Sequence, residues 1–482
     1  MSVEQREVAG VAAAAPASLK EAWVALAGLS AVFLFEMLDN SILNVALPTI
    51  GRDLEASTAA LQWVTSAYAV VFGGLMLIFG AVADRFGRRR VMLVGLALLG
   101  AASLATAAVS TMGELVAVRA AMGAAAAMTT PGAMALAFRL FRDNALRVRA
   151  ITLISTVGLV GLAVGPTVGG LVLAFAPWQA LLLVNAPVAA LAMVCIRWGV
   201  PADDPAELHP ERIDVAGGVL GTVAIVSALL APTLFLEEGA HAWLPWGVAA
   251  LALAGGWAFV LRERSTAHPL LDLRAVALPL VSSGLAFKAA AGLATAGLGY
   301  LVTLQLQLQW GWPPAVASLG MLPQVVVLLA GSAFVEPLVR RVGLQRAAWL
   351  SSLAVVAGLA VYALGNRFGY LWVGLALALV AAGLRVVGVV AATNVLDGLP
   401  PNRTTVGAAL TDTATEVAHG VGIAVAGTIL AAMVTGSVAT SDWDPRRSAE
   451  FQAAVTAAGV ALTLATAGLV GWGRLRARAP RV

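Results

Sequence analysis

The stretch GAVADRFGRRRV, residues 80–91, places five charged side chains in the seven positions from Asp84 to Arg90. Charged residues make up only 12% of the 482-residue chain, 60% of it is hydrophobic, and its mean hydropathy is +0.89. A soluble domain carries about a quarter charged residues. On either side of the stretch lie apolar runs of about twenty residues, the length a helix needs to cross hydrocarbon. A charged knot between two such runs reads as a turn at the membrane surface. Membrane barrels alternate polar and apolar residues over about ten positions, and these runs do not alternate. The chain therefore reads as an all-α polytopic membrane protein.

Working outward, fourteen apolar runs are expected to be helices, at 23–48, 59–82, 91–110, 114–138, 150–175, 178–197, 214–235, 243–261, 279–303, 314–336, 346–364, 370–392, 404–434 and 452–473. Orientation follows from the basic residues. With the N-terminus in the cytosol, 23 of the 30 lysines and arginines fall on cytosolic segments, 4 outside, and 3 within spans. This is a strong positive-inside asymmetry. Losing one helix would invert everything after it, so an even number with both termini cytosolic is expected. The leading residues carry Glu4, Arg6 and Glu7, which are not net positive, and Pro16 breaks the Ala-rich run after them. They read as a short cytosolic tail rather than a signal peptide. Cys195 is the single cysteine and cannot form an internal disulfide.

Four sequence patterns fall in order on four of these helices. Gly80, Asp84, Arg85, Gly87, Arg88 and Arg89 match G-x-x-x-D-R-x-G-R-R, the cytosolic signature of the major facilitator superfamily. LDNSILNVALP on helix 1, with Leu38, Asp39, Asn44, Ala46, Leu47 and Pro48, resembles a motif of its drug:proton antiporters, with Ser41 for the usual threonine. LVAVRAAMG on helix 4 supplies Arg119 and Gly123, with Met122 where glutamine is common. GLAVGPTVGG on helix 5 supplies the antiporter motif Gly161, Gly165, Pro166, Gly169 and Gly170. Fourteen helices resemble the antiporter branch with two extra helices.

That resemblance implies a bundle of six helices in residues 1–197, a linker with two inserted helices in 198–278, and a second six-helix bundle in 279–482. Internal repeats are expected of such a transporter. Arg341, Gly343 and Arg346 echo Arg85, Gly87 and Arg90, with Arg340 where Asp84 would stand; Arg385 and Gly388 loosely mirror Arg119 and Gly123. The resemblance further implies that the turn at Asp84 is a cytosolic gate. Asp84 would meet the positive N-terminal end of a helix in the other bundle, a contact worth about 1 kcal/mol. Its arginines would take carboxylates or helix C-terminal ends.

Charges inside the apolar runs carry the functional reading. Glu36 and Asp39 lie in helix 1, Arg119 in helix 4, Lys288 in helix 9 and Arg385 in helix 12; Asp412, Glu416 and His419 lie in helix 13. At about 3 kcal/mol each, seven formal charges facing lipid would cost about 20 kcal/mol. They are expected to face water or one another. In the superfamily, helices 1, 4, 9 and 12 line the central cavity. Asp39 and Arg119, with Glu36 one turn away, form the expected proton-coupling set. An arginine beside an aspartate favours the carboxylate, and its withdrawal favours the proton. Glu36, Lys288, Arg385, Asp412, Glu416 and His419 are expected in the substrate cavity, with Arg385 paired to Asp412 and Lys288 to Glu416. The wall beside them is expected to include Trp63, Tyr68, Phe72, Phe287 and Tyr300.

The sequence lacks the GxxxxGK[ST] phosphate loop, so it does not read as an ATP-driven pump. His209, His241, His268 and His419 are scattered, and no metal or other cofactor is expected. Nothing resembles a selectivity filter. The chain reads as no enzyme but as a bacterial cytoplasmic-membrane exporter, exchanging protons for a small lipophilic substrate and acting as a monomer in the bilayer without nucleic acid. Two substrate readings stay open: lipophilic cations, or one endogenous metabolite or antibiotic that is anionic or neutral. A non-transporting receptor is the remaining alternative. Asp84→Asn should abolish efflux while leaving membrane expression intact; normal efflux by that variant would remove the gate role of the turn.

Overall fold

The computed structural model describes residues 16–141, 143–203, 214–237, 241–266, 269–271, 273–331, 337, 341–399, 404–434 and 444–478, among which there is no strand. Arg6, Arg142, Arg212, Arg340, Arg403 and Arg481, counted above as cytosolic, lie outside the described residues, as do His209 and His268. Hydrocarbon offers backbone groups no partners, so each apolar run satisfies its own N–H and C=O groups as a helix.

In the first half the helices are α1 (Trp23–Asp53), α2 (Thr58–Phe86), α3 (Arg88–Ala105), α4 (Met112–Leu140), α5 (Asn144–Leu173) and α6 (Gln179–Gly199, interrupted at Val184). Then come α7 (Val215–Glu237) and α8 (Trp243–Ser265). The rest are α9 (Pro279–Leu304, continued by a π-turn at Gln305–Gln309), α10 (Pro314–Ala330, interrupted at Gly320), α11 (Leu344–Gly365), α12 (Tyr370–Asp397), α13 (Thr404–Met433) and α14 (Pro445–Ala477). Helix ends carry recognisable caps. Thr111 and Glu114 form a reciprocal capping box at α4, and Ser57 accepts from Ala60 N–H at the start of α2.

Each expected span overlaps a helix among the described residues, and positions 332–336 of the tenth lie outside them. Among the described residues eleven helices are long and apolar enough to cross a membrane, and α2 makes a twelfth despite a 50° bend between Met76 and Ile78. The apolar stretches of α7 and α10, Val215–Ala228 and Pro314–Ala330, are shorter. The α2 bend has a local cause. The Gly74 carbonyl, which would close the helical ladder there, also accepts from Thr222 Oγ1 of α7 at 2.8 Å.

α1 packs on α5 and α6, α2 on α4, and α3 on α4 and α6; α9 packs on α12, α13 and α14, and α11 on α12 and α14. The two groups meet where α1 touches α9, α2 touches α13, and α5 touches α10. α7 lies across this seam, against both α2 and α13, while α8 packs on α7. The inserted pair is fastened at one end by Arg262 of α8, which donates to Asp214 Oδ2 at 3.0 Å. Those hydrogen bonds hold the Asp214 carboxyl below the usual carboxylate range.

The glycines of α5 show how close the helices come. A methyl group on Gly161 would stand 2.9 Å from the Leu34 carbonyl oxygen, and one on Gly169 2.6 Å from Ile42 Cγ1. At Gly165 it would overlap Ser41 Oγ. Three glycines at four-residue spacing therefore admit the backbone of α1, within the first half. Gly170 alone of the motif turns to the seam, against Pro314 and Ser318 of α10. Gly165→Val should lower the melting temperature in detergent, corresponding to overpacking of about 1–3 kcal/mol; an unchanged melting temperature would mean the α1–α5 contact is looser than its geometry.

Candidate functional site

The buried centre is built on an ion pair. Arg119 of α4, 1% exposed, donates from Nη1 to Asp39 Oδ2 of α1 at 2.5 Å, and Asp39 is 0% exposed. Arg119 Nε donates to the Val64 carbonyl of α2 at 3.1 Å, and its guanidinium lies 4.6 Å from the Tyr68 ring centroid. Asn185 Nδ2 of α6 donates to Asp39 Oδ1 at 2.9 Å. Four helices thus converge on two charges. Removing one partner from a pair so buried costs about 3–5 kcal/mol, because the other charge is left unmatched. Met122, at the position where glutamine is common, brings its Sδ to 3.8 Å from Arg119 Nη1.

A second group spans the seam. Glu36 of α1, buried, accepts from Thr130 Oγ1 of α4 at 2.8 Å. Across from it stand Glu416 and Asp412 of α13, near enough for the three carboxylates to interact by charge. His419 Nδ1 lies 3.5 Å from Glu416 Oε1, whereas Glu416 Oε2 is buried without a hydrogen-bond partner. Tyr68 lies between the two groups, within electrostatic reach of Glu36, Asp39, Glu416 and Arg119, and its hydroxyl is also buried and unpartnered. Acids from both halves and an arginine within one half are thereby linked around a single tyrosine.

Two expected pairs do not form. Lys288 interacts by charge with Asp412 rather than pairing with Glu416. The register of α9 on α13 decides this: Gly292 abuts the Thr415 carbonyl and His419, so Lys288, one turn earlier, falls opposite Asp412. Arg385 does not reach Asp412. It packs beside Gly331 at the end of α10, with its Nε buried and without a hydrogen bond. Of the expected aromatic wall, Tyr68, Phe72, Phe287 and Tyr300 are buried.

The Asp84 turn has a different set of partners from those expected. Asp84 accepts from Arg88 of its own turn at 2.7 Å, rather than meeting a helix of the other half. The capping role falls to Asp203, beyond α6. Its Oδ1 accepts from the Arg89 N–H and its Oδ2 from the Arg90 N–H, each at 3.1 Å, at the start of α3. Arg89 donates to the Arg197 carbonyl in the last turn of α6, a helix C-terminal end as expected of the motif arginines. Gly87 is needed twice. Its φ is +103°, in the region that favours glycine, and a methyl group there would collide with the Asp203 carboxylate.

At the opposite end of α2 the halves are in contact. Gly427 of α13 sits against Gln62, and Gln307 Nε2 of α9 donates to the Val45 carbonyl of α1 at 2.7 Å. The seam is closed at that end. Sequence reasoning missed Asn185, Thr130, Asp203 and Gln307. Asn185 had a signal, an amide inside an apolar run; the others look like ordinary polar residues until the helices are packed. Among the described residues no three His, Cys, Asp or Glu side chains are grouped to hold a metal ion.

Residues 29–423 match the Major Facilitator Superfamily. The chain is 34% identical to the cephamycin export protein CmcT of Amycolatopsis lactamdurans over 341 residues, covering 68% of this chain and 67% of that one. It is 31% identical to the multidrug efflux pump LfrA of Mycolicibacterium smegmatis, covering 86% and 82%. It is 28% identical to the methyl viologen resistance protein SmvA of Salmonella typhimurium, covering 86% and 84%. Its fold is similar to a bacterial homologue of the human lysosomal transporter Spinster in an inward-facing, occupied conformation, with a TM-score of 0.65 at 13% identity over 96% of this chain and 98% of that one. The nucleoside transporter NupG aligns with a TM-score of 0.61 at 15% identity, covering 92% and 99%.

The cap at α3 carries its own test. Asp203→Ala should lower thermal stability by about 1 kcal/mol, as loss of an N-terminal cap does. Gly87→Ala should be less harmful in that background than in the parent, since the collision with the carboxylate is gone. Additive effects would mean Asp203 is not what constrains Gly87.

Proposed function

The chain belongs to the Major Facilitator Superfamily as a multi-pass efflux transporter rather than an enzyme, and we propose that it exchanges protons for lipophilic cations by alternating access. The observation that carries this reading is the Asp39–Arg119 pair, held by Asn185 and Tyr68 and continued through Tyr68 to Glu36 and Glu416 at the seam. A carboxylate whose counter-charge can move away is suited to take up and release a proton. Glu36, Glu416 and Asp412 supply negative charge beside apolar and aromatic walls, which suits a cation with a hydrophobic body. His419 stands within reach of Glu416 as a further proton carrier. Similarity to a multidrug efflux pump and to a resistance protein for methyl viologen, an organic dication, supports the same substrate class.

In this reading the chain is a monomer of the bacterial cytoplasmic membrane. It has fourteen crossings, both termini in the cytosol, a first bundle within 1–197, an insert within 198–278 and a second bundle within 279–482. The asymmetry of basic residues supports the orientation. The seam is closed at the Gln307 end, while Asp84 is occupied within its own turn. Both contacts suit a cavity open to the cytosol. A proton reaching Asp39 would neutralise it and weaken its hold on Arg119.

Similarity to a cephamycin export protein favours a second reading, export of one antibiotic. A resistance profile in a pump-deficient host separates the two: protection against several unrelated cations supports the first, and protection against one compound the second. In inverted vesicles, Asp39→Asn should abolish substrate uptake driven by a pH gradient. Uptake by that variant that still follows the gradient would take the proton-coupling role away from Asp39.

A further inference from the structure

We propose that Gln307 is the latch of the seam remote from the Asp84 turn, and that the π-turn of α9 exists to aim it. Among the described residues it is Gln307 of α9 that donates a side-chain hydrogen bond from the second half to the α1 backbone, its Nε2 lying 2.7 Å from the Val45 carbonyl oxygen. The bond lies at the end of α1 next to the start of α2, where Gln62 and Gly427 also meet across the seam.

The π-turn explains how one short segment serves both sides. π-bulges concentrate at functional positions because the extra residue re-aims side chains. Here Gln305 and Gln309 turn backward into the second half. Gln305 Nε2 donates to Gln309 Oε1 at 3.1 Å and to Asn366 Oδ1 at 3.2 Å, and Tyr362 Oη donates to Gln305 Oε1 at 3.0 Å. Gln309 Nε2 donates to Gln452 Oε1 at 2.8 Å, and Gln452 donates in turn to Asn366. Side chains from α9, α11, its 3₁₀ extension and α14 thus close an amide network behind the turn. Gln307, between the two anchored glutamines, faces the other way and reaches α1.

The latch is poised rather than tight. Gln307 Oε1 is buried without a hydrogen-bond partner, as are both polar atoms of Gln62 and the Thr303 hydroxyl in the same region. Buried polar groups left unpaired oppose closure, because opening to water would satisfy them. One made bond among several unmade ones gives a seam that closes with a small margin and opens when the halves rock. This assignment concerns the gate and is independent of what is carried or which ion drives it.

The test uses the full-length transporter in membranes, with Cys195→Ser to remove the native thiol and Thr303→Cys as reporter, one turn from Gln307. Membrane-impermeant maleimide is added from the face opposite the Asp84 turn. Gln307→Glu keeps the size and, ionised, removes the donor and sets a carboxylate against the Val45 carbonyl; it should raise reporter labelling at least about fivefold, the effect of losing one hydrogen bond. Gln305→Leu, which leaves Gln307 in place but frees the π-turn, should raise it at least about twofold. Gln62→Leu removes unpaired polar atoms from the same seam and should not raise labelling. Unchanged labelling in both Gln307→Glu and Gln305→Leu would overturn the latch. An equal rise in Gln62→Leu would also overturn it, since the response would then be general loosening of the seam.

Discussion

Arg119 is 1% exposed inside a helix that crosses a bilayer, and the need to match its charge organises the helices around it. A guanidinium cannot give up its proton to ease burial, so every donor must find an acceptor. Asp39 comes from α1, the Val64 carbonyl from α2, and the Tyr68 face from one turn further along α2. Asn185 of α6 then occupies the remaining oxygen of Asp39. Moving any of these helices along its axis by one turn would break the set, so the ion pair fixes the register of the helices that meet at it.

The interface between the halves follows the opposite rule. Within the first half, glycines of α5 bring the α1 backbone into direct contact, and Asp39 and Arg119 bond each other, Asn185 and the Val64 carbonyl. At the seam, acids face acids and several buried polar atoms have no hydrogen-bond partner. Under the proposed alternating access, an interface that separates is better served by contacts with small net worth than by a well-matched core. The Asp39–Arg119 pair is a strong contact inside the first half, whereas Glu36 and Glu416 face each other across the seam as like charges. α7, lying on α2 and α13 across that seam and bonded to the bend of α2 through Thr222, is the one inserted helix placed to feel both halves among the described residues.

The charges inside the apolar runs mark the centre, but their spacing specifies only part of its pairing. Asp39 with Arg119 followed from two opposite charges at similar depth on helices 1 and 4. The pairings of Lys288 and Arg385 differ from expectation because helical spacing gives depth and face but not the offset between two helices. For Lys288 that offset is set by Gly292 against Thr415 and His419, a packing detail of a few ångströms. The same limit hid Asp203. Its partners are backbone N–H groups 113 and 114 residues away, and nothing in the local pattern of a carboxylate points to a helix start so distant.

Composition and charge order determined that this is a helical membrane protein and where its helices lie, because hydrocarbon demands long apolar runs with internally bonded backbones, and basic residues sort to one side. The sequence also determined which residues are too costly to face lipid, since the cost of burying a charge belongs to the side chain itself. Only the tertiary structure decided which of these charges meet, which acids face each other across the seam, that Gly87 makes room for Asp203, and that Gln307 rather than its neighbours reaches α1. Those outcomes depend on relative helix positions within a fraction of a turn. They are fixed by interlocking side chains from segments far apart in the chain, a property no single stretch of sequence carries.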